Sequence, residues 1–208
     1  MPTVHEAFTV RPLLVTLAAY GCGMREAFHD QLDSIFTDLA EICGEVEASV
    51  RLATQALLEG DAEVAETVIA ADDKVDRARE RVEETAFSLL SLQQPVAGDL
   101  RVVVSALRMV SELERMGDLS VHVAKIARLR VPEIAVPEAA RPTVARMGAV
   151  AEDMVRRVAA VILERDVEAA VDIALLGRYY ERIADHAVSV ANRVVFVVTG
   201  QFPVSTDA

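Results

Sequence analysis

Apolar residues recur at helical spacing along most of the chain, and breaks in that spacing separate the predicted helices. Over residues 30–58 apolar positions, single or in adjacent pairs, recur every three or four residues. They are Leu32, Ile35, Phe36, Leu39, Ile42, Cys43, Val46, Val50, Ala53 and Leu57. The segment 58–61 (LEGD) interrupts the run, and Asp61 is a favourable N-cap residue. The pattern therefore predicts a second helix from Asp61 to about Leu92.

Three further periodic segments follow. A third helix begins near Pro95, which suits a first turn, and continues to about Arg130. The stretch 131–142 contains three prolines in twelve residues and is typical of a linker. The last two segments run over residues 143–164 and 167–198. Long helices joined by short connections predict an all-α fold built from antiparallel helical bundles.

An internal repeat indicates that the chain is duplicated. Residues 57–65 (LLEGDAEVA) match residues 162–170 (ILERDVEAA) at an offset of 105. Residues 114–118 (ERMGD) match residues 181–185 (ERIAD) at an offset of 67. The second copy is therefore shorter by 38 residues, which is most of a helix with its connection.

This shortfall sets the expected domain organisation. Residues 24–130 form a first three-helix repeat, and residues 143–200 form an incomplete second repeat before a tail at 201–208. We expect the second repeat to be reduced to a helical hairpin that turns at residues 164–166. A hairpin leaves apolar grooves uncovered, so we also expect a homo-oligomer or reduced stability.

Composition and charge narrow the classes of partner and compartment. The net charge of −12 disfavours binding to nucleic acid and to anionic lipid surfaces. Two cysteines, Cys22 and Cys43, cannot form a disulfide framework, which suits a reducing, cytoplasmic location. No stretch reaches the roughly 18 apolar residues of a membrane span. The apolar segment 12–23 is either a signal-peptide core or a consequence of a start codon placed too far upstream, and we favour Met24 as the natural first residue. Residues 1–23 are accordingly expected to be a non-native or disordered extension.

Acidic pairs at i,i+4 spacing are the candidate chemical feature. They are Asp72 with Asp76, Glu114 with Asp118, and Glu181 with Asp185. Spacing alone is weak support, because 33 acidic residues among 208 would give about five such pairs by chance. Asp72 and Glu114, however, fall within the apolar stripes of their helices, where an unpaired carboxylate is costly. Either arginines (Arg79, Arg115, Arg182) pair with them, or they bind a metal ion between helices two and three.

Enzyme motifs are missing from the sequence. It contains no P-loop, no HExxH zinc motif and no nucleophile elbow. A di-iron oxidase would need paired Glu-x-x-His motifs, and the one present is Glu26 to His29 near the amino end. We therefore expect a protein that is not an enzyme.

Four segments of the sequence together form a recognisable set: residues 72–76 (DDKVD), 95–101 (PVAGDLR), 113–118 (LERMGD) and 175–187 (LLGRYYERIADHA). This set resembles the PhoU family, and the sequence of the last segment resembles its actinobacterial, PhoY-like members. The resemblance covers about residues 25–200. It implies two three-helix bundles related by pseudo-symmetry, of which the second is shortened here.

The resemblance also implies a function. Family members are negative regulators of phosphate uptake and phosphate-starvation signalling, and they couple the phosphate ABC transporter ATPase to a sensor histidine kinase. In several members the (E/D)xxxD motifs bind metal clusters, which points to divalent ions, iron or zinc as cofactors. By that comparison Asp72, Asp76, Glu114 and Asp118 form a first metal site. Glu181 and Asp185 form half of a second, whose other half lies in the missing stretch.

Two other interpretations remain open at this point. The chain could be a metal-binding helical bundle protein without a signalling role, or a partly decayed PhoU paralogue whose second repeat no longer works.

Overall fold

The computed structural model describes the backbone of residues 11–201 and the side chains of residues 26–201 except residue 176. Within that range the chain is helical, with no β-strand. The helices are α1 (Arg11–Glu59), α2 (Ala62–Gln93), α3 (Ala97–Arg130), α4 (Arg141–Glu164) and α5 (Val167–Thr199), and a single 3-10 turn, Glu138–Ala140, precedes α4. The expected all-α fold is confirmed. No helix among the described residues combines the length and the hydropathy that a bilayer-crossing segment needs.

The helix boundaries follow local signals in the sequence. Asp61 caps α2, because its carboxylate accepts hydrogen bonds from the backbone N–H groups of Glu63 (2.9 Å) and Val64 (3.0 Å). Asp166 caps α5 in the same way. Gly60 and Arg165 precede the two caps with φ values of 70° and 55°. The two copies of the repeat thus share one turn conformation, in which arginine takes the place of glycine.

Two boundaries differ from the expected ones. The first helix begins at Arg11 and continues through residue 24 without a break, so α1 is longer than the pattern over residues 30–58 predicted. Pro95 lies before the third helix rather than in its first turn, since α3 begins at Ala97 after the extended residue Val96. Residues 1–10 and 202–208 lie outside the described residues.

The first three helices pack against one another around two buried clusters. The larger cluster combines aliphatic residues of α1, α2 and α3, including Ile35, Leu39, Val82 and Val110, none of which is exposed. The smaller cluster is rich in alanine and lies near the turn between α1 and α2, where Ala56 and other small side chains let the helices approach closely. The bundle therefore has large side chains in its centre and a narrow end next to Gly60.

Helix α4 packs on the outside of this bundle. Val155 and Ile162 contribute to the larger cluster, and Arg156 forms an ion pair with Glu47 of α1 at 2.9 Å. Gly148 lies against Thr54 of α1. We assigned residues 143–164 to the second repeat by sequence, and in the structure these residues complete the packing of the first three helices.

The chain divides into two compact units at residue 164. The first unit contains α1 to α4, and the second contains α5. The break between α4 and α5 lies at Arg165 and Asp166, where the turn was expected, and α5 is a single continuous helix of 33 residues.

Candidate functional site

The close approach of α2 and α3 places two of the predicted acidic pairs side by side. Val75 of α2 is buried between Asp72 and Asp76 in sequence, and Gly117 of α3 is buried next to Asp118. A Cβ atom added to Gly117 would lie 3.6 Å from Cγ1 of Val75. This contact brings both pairs to the same level of the bundle.

All four carboxylates of this cluster are half-buried, and they interact electrostatically. Burial raises the pKa of Asp72, the charges of Asp118 and Asp76 raise it further, and Lys125 opposes them. Burial also raises the pKa of Glu114, the charge of Asp118 raises it further, and Arg79 lowers it. We call Asp72, Asp76, Glu114 and Asp118 the α2–α3 carboxylate cluster.

Among the described residues, the arginines that we considered as partners form no direct ion pair with this cluster. Arg79 forms its ion pair with Glu83, one turn further along α2, at 2.9 Å. Among the described residues, none of the four carboxylates lies within 4.0 Å of a basic nitrogen. The buried Nε of Arg79 has no hydrogen-bond partner there. The cluster is therefore a half-buried concentration of negative charge that has no direct ion pair and that Arg79 and Lys125 offset only in part.

Such a donor set suits a hard cation, which takes carboxylate oxygens as ligands. The positions of the side chains are more open than a finished metal site. In the described part of the chain, no group of three or more His, Cys, Asp or Glu side chains is arranged to hold an ion. The carboxylate oxygens of the cluster are suitable ligands for a cation. In the present geometry the two pairs lie near each other, but their oxygens do not converge on a single ion position.

The third predicted pair lies in a different environment. Glu181 and Asp185 are exposed on α5, and Glu181 accepts a hydrogen bond from Arg178 at 2.8 Å. Among residues 164–201, the described part of the unit that contains α5, no second helix supplies another acidic pair. The sequence motif is thus repeated, but its surroundings are not.

Two cavities of the first unit were not predicted. A polar cleft of about 480 Å³ has acidic residues of α1 on one side and basic residues of α2 on the other. An apolar groove of about 460 Å³ lies among α1, α3 and α4. The apolar stripe of α4 is visible in the sequence and could have indicated this groove, but the stripe does not say which helix it faces.

The polar cleft is lined by Asp38 and Glu41 of α1 and by Lys74 and Arg81 of α2, among others. Burial raises the pKa of Asp38, Glu41 raises it further, and Arg81 lowers it.

Comparisons with known proteins identify relatives of this chain. The PhoU domain profile matches residues 39–127. The chain is 44% identical to the phosphate-specific transport system accessory protein PhoU homolog 2 of Mycobacterium tuberculosis, over 86% of this chain and 100% of that protein. It is 43% identical to PhoU homolog 1 of Mycobacterium leprae, over 86% of this chain and 96% of that protein.

A solved structure resembles the fold. The phosphate transport system regulatory protein PhoU from Streptococcus pneumoniae matches 85% of this chain and 99% of its own with a TM-score of 0.65, at 24% identity.

The alignment with the M. tuberculosis relative also contains an internal gap. It extends over 213 positions and uses 86% of this chain, about 179 residues, so roughly 34 positions of that relative have no counterpart here. This shortfall is similar in size to the 38 residues that the repeat offsets indicated.

Proposed function

Because this chain belongs to the PhoU family, we propose that it is a negative regulator of phosphate uptake and of phosphate-starvation signalling. The observation that carries the proposal is its 44% identity over the full length of a relative named as an accessory protein of the phosphate-specific transport system. In this role the chain is not an enzyme. It acts in the cytoplasm and couples the ATPase of the phosphate ABC transporter to a sensor histidine kinase.

The physical features of the first unit suit an adaptor of this kind. It is a helical bundle with a buried apolar core, and the described residues include an apolar groove and a polar cleft on its outside. Grooves between helices are common docking sites for helices and loops of partner proteins. We also propose that the chain works as a homo-oligomer.

A deletion strain provides the direct test. In phosphate-rich medium, loss of the gene should raise both phosphate uptake and the activity of a phosphate-starvation promoter, and this chain supplied in trans should restore repression. Co-purification of the chain with the transporter ATPase and with the cytoplasmic part of the kinase would identify the two contacts. If a folded, expressed chain leaves the promoter derepressed, it is a decayed paralogue rather than a working regulator.

The α2–α3 carboxylate cluster supports a second proposal, a metal site formed by Asp72, Asp76, Glu114 and Asp118. A bound divalent ion, iron or zinc would neutralise the mutual repulsion of these groups and tie α2 to α3. Glu181 and Asp185 are proposed as half of a second site. The same cluster would serve a metal-binding bundle protein that has no signalling role, so promoter repression distinguishes the two functions.

Metal analysis of the purified chain tests the first site. We expect the double substitution Asp72→Ala/Asp118→Ala to lose bound metal. The control is Glu80→Ala/Glu84→Ala, an i,i+4 acidic pair of α2 whose side chains are exposed. Equal metal content in wild type, double variant and control would eliminate the site.

A further inference from the structure

Arg79 lies next to the α2–α3 carboxylate cluster but pairs with a residue outside it. It follows Asp76 by three residues on α2 and interacts electrostatically with Asp76 and with Glu114 of α3. Its Nη1 atom donates a hydrogen bond to Oε1 of Glu83, four residues further along α2, at 2.9 Å. The guanidinium group is thus near carboxylates of the cluster, yet its ion pair is with Glu83.

The position of Arg79 leaves part of its hydrogen-bonding capacity unused. A guanidinium group has five N–H donors. Among the described residues, the Nη1 bond to Glu83 is the one hydrogen bond of this side chain, and the buried Nε atom has no partner. A buried donor without an acceptor is unfavourable, because it has lost its contact with water and gained no bond. The present position is therefore maintained by Glu83, and the oxygens of Glu114 are a competing set of acceptors.

A divalent cation and the guanidinium group of Arg79 would compete for the same oxygens. The cation takes carboxylate oxygens as ligands, and arginine takes them as hydrogen-bond acceptors. An Arg79 paired with Glu114 would have to be displaced before Glu114 could bind a cation. The side chains of Arg79 and Glu83 are 30% and 32% exposed, so the guanidinium group has open space in which to turn. What keeps Arg79 away from Glu114 therefore affects the affinity of the cluster for a cation.

We propose that Glu83 is a positioning residue that holds Arg79 away from the α2–α3 carboxylate cluster and so keeps Glu114 available to a divalent cation. Arg79 is the competing cation, and the affinity of the cluster falls when the guanidinium group turns from Glu83 to Glu114. Glu83 thus acts through Arg79 and not as a ligand. This role rests on the metal site proposed above and concerns the regulation of its affinity.

Titration of the full chain with Mn²⁺, followed by isothermal calorimetry, measures the effect. Glu83→Gln should weaken Mn²⁺ binding about tenfold, because Arg79 then pairs with Glu114. The matched control is Glu66→Gln, which removes the same charge from α2 and also releases an arginine, since Glu66 pairs with Arg128 at 2.8 Å. That pair lies outside the cluster, so the control should change the affinity by less than about twofold.

The substitution Arg79→Met separates this route from a direct effect of Glu83. Alone it should strengthen Mn²⁺ binding by about two- to fivefold, because it removes a competing charge at a partly exposed position. In the Arg79→Met background, Glu83→Gln should change the affinity by less than about twofold, since no guanidinium group remains to be released. An undiminished effect in that background would mean that Glu83 acts as a ligand or as a distant charge, and it would overturn the proposal.

The NMR signal of the Arg79 Nε–H group tests the same positions without metal. Arg79→Met identifies the signal. In the presence of EDTA, Glu83→Gln should move it downfield, because the group gains Glu114 as an acceptor. Glu83→Gln/Glu114→Gln should reverse much of that shift, because the neutral amide is a weaker acceptor than the carboxylate. A signal that Glu83→Gln leaves unchanged would overturn the positioning role, whatever the titration shows.

The two measurements distinguish a failure of this proposal from a failure of the metal site. Mn²⁺ binding that is insensitive to Glu83→Gln would overturn the proposal and leave the metal site intact. No Mn²⁺ binding by the wild-type chain would overturn the metal site and with it the effect of Arg79 on affinity. A downfield shift in the NMR experiment would then support only the positioning of Arg79 by Glu83.

Discussion

Helices α3 and α5 carry the same acidic motif in different surroundings. On α3, Glu114 and Asp118 lie half-buried against α2, and the pKa of Glu114 is raised by burial and by its neighbours. On α5, Glu181 and Asp185 are exposed, and Glu181 is next to Arg178. The motif supplies two carboxylates on one helix face. The opposing helix supplies the burial and the additional charge that turn them into a candidate site.

The same contrast applies to the apolar side chains of the two helices, and it leads to the largest expected effect. Leu113 of α3 is 3% exposed, whereas Leu175 of α5 is 53% exposed. Leu113→Ala should lower the free energy of unfolding by about 3 kcal/mol, because it removes buried contacts and leaves a cavity. Leu175→Ala should change it by less than about 0.5 kcal/mol. Chemical denaturation measures both, and equal losses would show that α5 is as well packed as α3.

Two glycines test where helices approach most closely. A Cβ atom at Gly148 of α4 would lie 3.0 Å from Cβ of Thr54 and still closer to both γ atoms, whereas one at Gly117 would make ordinary contacts. Gly148→Ala should therefore cost about 1–3 kcal/mol. Gly117→Ala should be neutral or stabilise by up to about 1 kcal/mol through helix propensity. Thr54→Ala should rescue Gly148→Ala in thermal unfolding, and a failure to rescue would place the strain elsewhere.

Substitutions in the repeated turn, which precedes α2 and α5, should have a smaller effect on the free energy of unfolding. Gly60 and Arg165 both have positive φ, which glycine adopts without strain and other residues do not. Gly60→Ala should cost about 1–2 kcal/mol. Arg165→Gly should stabilise by a few tenths of a kcal/mol, since relief of strain is partly offset by the greater freedom of the unfolded chain. Calorimetry of the two variants checks the opposite signs.

Substitutions in the acidic pairs should have the smallest effect on the free energy of unfolding, and that effect should depend on pH. The folded-state pKa of Glu114 is raised above its ordinary value of 4.5, so the folded protein binds this proton more tightly than the unfolded chain. The stability that this group contributes is therefore lost as pH rises through the range between its ordinary pKa and its raised folded-state pKa.

Without metal at neutral pH, Glu114→Gln should therefore stabilise the protein by a few tenths of a kcal/mol. The gain should vanish below about pH 4, where the wild-type carboxyl is protonated in both states. Glu181→Gln is the matched variant on α5 and should show little change. Thermal unfolding across pH measures both, and a gain at Glu114 that persists in acid would contradict the electrostatic cause.

Local chemistry explains how much of the helix pattern was predictable. The bounds of α4 and α5 agree with the sequence pattern to within two residues, because Asp166 and Gly200 are capping residues whose preferences are local. The start of α1 at Arg11 was not predicted, since residues 11–23 lack the polar face that identifies an amphipathic helix.

The sequence by itself determined the helical class, the order of the helices, the repeat and the acidic pairs. All of these depend on the spacing of residues along the chain. The tertiary structure decided which pairs meet. Contact between Val75 and Gly117 brings Asp72 close to Asp118, and α4 packs against α1 to α3 although its sequence belongs to the second repeat. An amphipathic stripe indicates only that the apolar face of a helix must be buried against another element. The helix that covers it is chosen by the packing of the whole chain, which periodicity does not encode.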